Sequence, residues 1–199
     1  MSSPAPSPSP APRKLDWLAF VLSYLLPGLG QVLQGRVGKG VLFFVCLYGL
    51  FFYGMWMGQM KNVWLPDASK LPEVEVPILG KLDGWPKALY YRPQFLGQFW
   101  IGVAAWPAVV QYVATEPPAD AGDRPKPTAV LGHYMQTPPE AELNDLQRGQ
   151  DKRWDLGWVY TVIAGVLNVL VMYDALAGPV VRDDEPPAGA KPPNPEARP

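Results

Sequence analysis

The chain has 199 residues, of which 48% are hydrophobic and 18% charged, with a formal net charge of −1. We expect no nucleic-acid partner. The charges are nearly absent from four stretches and dense between them. Such segregation indicates contact with two solvents, lipid and water, and argues against a uniformly soluble surface.

Four hydrophobic stretches are long enough to cross a bilayer. They occupy residues 15–34, 41–58, 95–114 and 156–178, and a helix of about 20 residues spans the roughly 30 Å of hydrocarbon. Because each stretch is hydrophobic on all sides, we expect lipid around it. Aromatic residues with a polar tip, which favour the headgroup layer, lie at or near the ends of the stretches. They are Trp17, Trp56, Trp64, Trp100, Tyr112 and Trp158.

The pattern predicts an all-α fold: a small polytopic membrane helix bundle of about four transmembrane helices with Pro-rich tails. The opening MSSPAPSPSPAP cannot form the hydrophobic core of a signal peptide, so we expect the first stretch to be retained. The predicted segments are a disordered Pro/Ser-rich tail (1–14), a transmembrane hairpin with a basic glycine turn (15–59), an interfacial loop (60–94), a transmembrane helix (95–115), a polar loop with a short amphipathic helix (116–155), a transmembrane helix (156–179) and a disordered Pro-rich tail (180–199).

Cysteine and histidine usage argues against several activities. Cys46 and His133 are each the only residue of their type, so an intrachain disulfide, a His/Cys metal cluster and a Cys–His or Ser–His–Asp catalytic set are not expected. Glu140 and Glu142 are two residues apart and would point to different sides of a helix. We therefore expect a non-enzymatic protein without cofactor or metal.

The first stretch has the most unusual backbone chemistry. It reads LDWLAFVLSYLLPGLGQ, so Pro27, Gly28 and Gly30 interrupt the helix. Proline removes one backbone hydrogen bond, and in lipid the freed carbonyl needs another partner, so the break should face protein. The favoured interpretation is a kinked helix leading into a tight hairpin. The alternative is a broken helix that presents backbone groups to a substrate, as in many transporters. Pro107 predicts a second kink, in the third stretch.

A short basic turn, residues 34–40, follows the first stretch. It reads QGRVGKG and resembles a phosphate-binding loop only superficially, because no Ser or Thr follows Lys39. Arg36 and Lys39 are instead candidate contacts for lipid headgroup phosphates. Generic anchoring is favoured over a specific anionic-lipid site.

Three separated motifs carry a family resemblance. The segment PGLGQ…QGRVGKG, the segment LGHYMQTPPEAELNDLQR and the segment DLGWVYTVIAGVLNVLVMYDALAGP resemble an uncharacterised family of bacterial multi-pass membrane proteins. The N-terminal part, LSYLLPGLGQVLQGRVGKGVLFF, is similar to two-transmembrane hairpin domains, although it lacks their Asp-Arg-Phe motif. The resemblance implies a bacterial inner-membrane protein and assigns no catalytic residue.

Several intramembrane residues are candidates for helix packing or for lining a path. Gly54 and Gly58 form a GxxxG pair, which allows close helix contact. Asn168 lies deep in the fourth stretch and is interpreted as structural glue. Asp174 lies near the end of that stretch and can pair with Arg36 or Lys39 if those lie on the same side. Pro27, Gly28 and Gly30 complete the candidate set.

The leading functional hypothesis is a non-catalytic membrane scaffold or assembly protein, and the alternative is a small transporter or channel subunit. The expected partners are the lipid bilayer and other membrane proteins or a second copy. With four spans, ten of the 17 Lys and Arg residues lie on the side of the tails. The positive-inside tendency then places both tails in the cytoplasm, with the chain in the inner membrane.

Overall fold

Eight α-helices lie in the part of the chain that the structure describes. The computed structural model describes residues 15–78, 80–116, 124–148 and 152–178, so the predicted tails lie outside the described residues. The helices are α1 (Trp17–Leu25), α2 (Leu29–Leu33), α3 (Val37–Met57), α4 (Gly84–Tyr91), α5 (Gln94–Phe99), α6 (Trp106–Ala114), α7 (Glu140–Arg148) and α8 (Lys152–Ala177). Two short 3-10 helices, Ala68–Lys70 and Gly102–Ala105, and an antiparallel pair of strands, β1 (Val74–Val76) and β2 (Gly80–Leu82), complete the regular structure of these ranges.

Helices α3 and α8 are long and apolar enough to cross a bilayer. Their 21 and 26 residues extend about 31 and 39 Å at 1.5 Å per residue. They run antiparallel: Asp174 near the end of α8 pairs with Arg36 just before α3, whereas Gly157 near the start of α8 lies against Gly54 near the end of α3. We call the end that holds Asp174 the tail side and the end that holds Gly157 the loop side.

Glycine allows these two helices to touch backbone to backbone on the loop side. A Cβ atom on Gly157 would lie 2.6 Å from the Gly58 nitrogen and 2.7 Å from the Gly54 carbonyl oxygen. The GxxxG pair identified in the sequence therefore lies at the closest approach of α3 and α8, and Gly157 completes it from the opposite helix.

The first hydrophobic stretch folds back on itself. Asp16 caps α1 by accepting a hydrogen bond from the Ala19 nitrogen at 3.0 Å, and the chain reverses after α1 so that α2 packs against it. The two ends meet on the tail side, where the Gln34 Nε2 donates to Asp16 Oδ2 at 3.1 Å and to the Ala175 carbonyl at 2.6 Å. We call residues 15–34 the first hairpin.

The third hydrophobic stretch forms a second hairpin, residues 94–114, that opens toward the loop side. Its α5 packs along α8, where the Gln98 Nε2 donates to Thr161 Oγ1 at 2.8 Å. The chain turns at Gly102, which has a φ of +82° and lies against the Tyr24 carbonyl at the tip of the first hairpin. Helix α6 then returns to the loop side, where the Gln111 side chain donates to the Gly132 carbonyl at 3.0 Å.

The prediction of four transmembrane helices is therefore not confirmed, because only α3 and α8 among the described elements have spanning length. The kinked-helix interpretation of the first stretch is wrong. Pro27 cannot donate a backbone hydrogen bond and Gly28 adopts a φ of +87°, so the helix ends and the chain reverses. Pro107 lies in the first turn of α6, where proline is tolerated, and so does not kink a longer helix.

The loops pack together on the loop side. Lys61 and Arg124 contact Glu142 at 2.6 and 2.8 Å, and the hydrogen bond from Lys61 is the main cause that lowers the Glu142 pKa. The Thr137 hydroxyl donates to the Leu65 carbonyl at 2.7 Å. The short amphipathic helix predicted within residues 116–155 is α7.

Candidate functional site

Two cations share one carboxylate at the tail side of the long helices. Arg36 Nη2 lies 2.9 Å from Asp174 Oδ2, and Lys39 Nζ lies 2.6 Å from Asp174 Oδ1. The side chains of Arg36 and Lys39 keep 21% and 39% of their surface exposed. Asp174 offsets only one of the two positive charges, so the cluster keeps a net charge of +1. Both cations also reach the surface of the protein, where a headgroup phosphate could contact them.

A chain of hydrogen bonds runs inward from Asp174 along the first hairpin. Gln31 Nε2 donates to Asp174 Oδ2 at 3.2 Å and to the Val171 carbonyl at 2.8 Å. Gln31 Oε1 accepts from the Ser23 hydroxyl at 3.1 Å, and Ser23 Oγ accepts from the Gly30 nitrogen at 3.2 Å. Ser23 and Gln31 are fully buried, so these two side chains join α1, α2 and α8 through hydrogen bonds that are shielded from solvent.

Asn168 ties the tips of both hairpins to α8. Its Nδ2 donates to the Ser23 carbonyl at 3.1 Å and to the Trp100 carbonyl at 2.8 Å. In an uninterrupted helix, the Ser23 carbonyl would accept from the nitrogen of residue 27, which is a proline and has no N–H. Asn168 therefore supplies the donor that Pro27 cannot, and the break in the helix faces protein, as its chemistry demanded.

The structure brings most of the predicted site residues together. Pro27, Gly28 and Gly30 form the reversal of the first hairpin, while Arg36 and Lys39 meet Asp174 beside it. A side chain on Gly28 would collide with the Gly40 backbone, and one on Gly30 would collide with the Ala19 carbonyl. Both glycines are thus required for the close packing of this corner.

Two of the predicted residues lie away from this cluster, and three polar residues that belong to it were not predicted. Gly54 and Gly58 do not join this cluster, because they lie at the opposite end of α3 against Gly157. Ser23, Gln31 and Gln34 were missed, although each is a polar residue in an otherwise apolar stretch. Their polarity was the available signal, since buried polar groups need hydrogen-bond partners.

The outward face of α3 combines small and aromatic residues. Gly49 lies at its centre with no atom within 4 Å of where a Cβ would be, and Cys46 is exposed one turn earlier. Bulky side chains flank this pair with between 51% and 60% of their surface exposed. They are Leu42, Val45, Tyr53 and Trp56.

The fold and the site define a class: a mostly helical protein built on two helices of membrane-spanning length, with a network of buried polar side chains between its helices. The chain belongs to the family described as a family of unknown function (DUF6677), which matches residues 18–186. Neither the curated proteins nor the solved structures give a match. Membership of an uncharacterised family is thus confirmed, and the bacterial inner-membrane location stays a prediction.

Proposed function

We propose that the chain is an integral membrane protein with two spanning helices, α3 and α8, and two re-entrant hairpins that enter from opposite faces of the bilayer. Residues 41–58 carry no charge, and only 28% of the most apolar window of α3 is buried inside the protein. Lipid would cover the remainder. Each hairpin helix is at most nine residues long, about 14 Å, which reaches roughly the middle of the hydrocarbon.

The two-span layout makes a prediction that separates it from four spans. In a Cys46→Ser background, cysteines replacing Gly38 and Ala188 should react with an impermeant maleimide from one face of sealed, uniformly oriented vesicles. Cysteines replacing Glu75 and Lys126 should react only from the other face. Four spans would put position 75 on the same face as position 188 and position 38 opposite, so that result would overturn the layout.

The same layout changes the expected orientation. It groups both tails with the basic turn, residues 34–40, and leaves ten of the 17 Lys and Arg residues in the loops at 60–94 and 115–155. The positive-inside tendency then favours cytoplasmic loops. The earlier expectation of cytoplasmic tails rested on four spans and is replaced within this proposal.

We further propose that the protein acts as a membrane scaffold or assembly factor that packs a partner's transmembrane helix against the outward face of α3. The observation that carries this function is the open surface at Gly49 and Cys46 between exposed bulky side chains. Small residues let helices approach closely in lipid, where van der Waals packing replaces the hydrophobic effect as the driving force. Ser23 and Gln31 are fully buried and bonded internally, which supports a structural use of the interior.

Replacing Gly49 by leucine tests the scaffold. A photoreactive diazirine side chain placed at position 46 should insert, on illumination of native membranes, into a partner's transmembrane helix, and the mass of the adduct separates a second copy from another protein. Gly49→Leu should reduce the adduct about tenfold, because overpacking an interface costs about 1–3 kcal/mol. The fold should not suffer, since the site is open and leucine favours helix.

The matched control is Val166→Leu, which enlarges an exposed side chain on α8 and should leave the adduct unchanged. The absence of any adduct from position 46, or an adduct indifferent to Gly49→Leu, would contradict the scaffold function.

One observation favours the alternative, a small transporter or channel subunit. The tips of two oppositely directed hairpins meet at Asn168, and broken helices that meet near the midplane form substrate sites in many transporters. A path requires water at the junction. Reaction of cysteines at positions 23 and 168 with a water-soluble reagent in the intact membrane would favour the path over the scaffold.

A further inference from the structure

A cavity of about 450 Å³ lies on the loop side, between the end of α6, the 64–71 segment and the start of α7. Its volume falls within the roughly 300–1,000 Å³ typical of small-molecule sites. Most of its wall is apolar and comes from segments far apart in the sequence. The apolar lining includes Trp64, Leu65, Leu71, Tyr112, Met135 and Leu143.

The uncharged polar side chains on the wall are engaged with one another or with the backbone. Gln111 donates to the Tyr134 carbonyl at 2.9 Å, and Gln136 donates to Thr115 Oγ1 at 3.0 Å. The Thr137 hydroxyl is bonded to the Leu65 carbonyl. These bonds hold the wall in shape and leave the recognition of a ligand's polar end to other groups.

Asp67 has a carboxylate oxygen without a hydrogen-bond donor. Its Oδ1 accepts from the Ser69 nitrogen at 2.9 Å and from the Ser69 hydroxyl at 2.8 Å. Its Oδ2 is buried and has no hydrogen-bond partner among the described residues. A buried acceptor without a donor is costly, more so when it belongs to a carboxylate. Asp67 is also part of the cavity wall, so a donor that enters the cavity reaches this oxygen once the carboxylate rotates toward it.

The charges around the cavity indicate which donor fits. Asp67 and Glu140 are the acidic residues of the wall and Lys70 is the basic one, so the lining carries an excess of negative charge. A protonated amine gives a charge-assisted hydrogen bond to a carboxylate, about twice as strong as a neutral one. An alcohol would satisfy the geometry and leave the charge uncompensated.

We infer that this cavity binds an amphiphile with an apolar body and a primary amine head, the amine donating to Asp67 Oδ2. The apolar body packs against Trp64, Leu71 and Leu143. The site is independent of the scaffold face, which lies on the outward surface of α3, and the inference holds whichever function that face has.

The test uses the full chain in nanodiscs of phosphatidylcholine, which has no primary amine. A medium-chain alkylamine carrying a diazirine is photolysed in the sample, and its adducts are mapped by mass spectrometry. Adducts should concentrate at residues 64–71 and 135–143, and the matched fatty acid should label these segments about tenfold less. Adding phosphatidylethanolamine identifies the source, since competition indicates a lipid amine and its absence a free amphiphile.

Two variants and one control complete the experiment. Asp67→Asn keeps the acceptor for Ser69, removes the charge and should lower labelling about tenfold, whereas Glu73→Gln, an exposed acid of the same loop, should have no effect. Leu143→Trp fills the cavity and should abolish labelling with Asp67 intact, which decides the matter if Asp67→Asn does not fold. Equal labelling by amine and acid, or labelling indifferent to Leu143→Trp, would overturn the assignment.

Discussion

Replacing Gly157 by leucine will separate the two long helices and reduce the stability of the protein by about 3 kcal/mol. A Cβ at this position meets backbone atoms, the Gly58 nitrogen at 2.6 Å and the Gly54 carbonyl oxygen at 2.7 Å. Backbone atoms cannot move aside as a flexible side chain can, so α3 and α8 must part along their contact. The loss should appear as a lower midpoint of thermal unfolding, followed by circular dichroism in nanodiscs.

Gly49→Leu is the control for this loss. It introduces the same side chain into the other long helix, at a position with nothing within 4 Å of the new Cβ. Leucine is favoured over glycine in a helix, by somewhat less than the roughly 0.8–1 kcal/mol that separates alanine from glycine, so this variant should melt at or above the wild-type temperature. Unfolding of Gly157→Leu at the wild-type temperature would show that close contact of α3 and α8 does not stabilise the fold.

The two long helices could be predicted from sequence, whereas the hairpins could not. Residues 41–58 and 156–178 became most of α3 and α8, because a long apolar run without strong interruption has one favourable structure in lipid. Residues 15–34 and 95–114 are also apolar stretches of spanning length. The break at Pro27 and Gly28 is visible in the sequence, but it marks a kink and a reversal equally well.

Tertiary contacts decide between kink and reversal. The first hairpin depends on the close packing of Gly30 against the Ala19 carbonyl and on the bond between Gln34 and Asp16. These contacts join residues whose proximity exists only after the chain has turned. Periodicity describes one helix at a time and carries no information about them.

Only part of the candidate site could be predicted, because the rest depends on the tertiary contacts of the first hairpin. Asp174 was expected to pair with Arg36 or Lys39 if they shared a side, and both pairs form, because opposite charges near the ends of two apolar segments have few other partners. Ser23 and Gln31 were not linked. In one straight helix they would lie about 12 Å apart along the axis, whereas the reversal brings their side chains to 3.1 Å.

Replacing Asn168 by leucine should cost about 2 kcal/mol, because the carbonyls of Ser23 and Trp100 lose a donor within an apolar interior. Leucine has a similar size, so the loss reports the two hydrogen bonds more than a cavity. Thermal unfolding in nanodiscs measures it. Val169→Leu, which alters the neighbouring and more exposed position of α8, should change the unfolding midpoint little.

A double-mutant cycle isolates the link between Asn168 and the missing donor of Pro27. Alanine at position 27 restores a backbone N–H, which can serve the Ser23 carbonyl once Leu26, extended in the wild type, takes helical dihedrals. Asn168→Leu should therefore cost about 1 kcal/mol less in the Pro27→Ala background than in the wild type. Strict additivity would mean that the Asn168 amide does not replace the proline's lost hydrogen bond, and that the first hairpin is held at its tip by apolar packing alone.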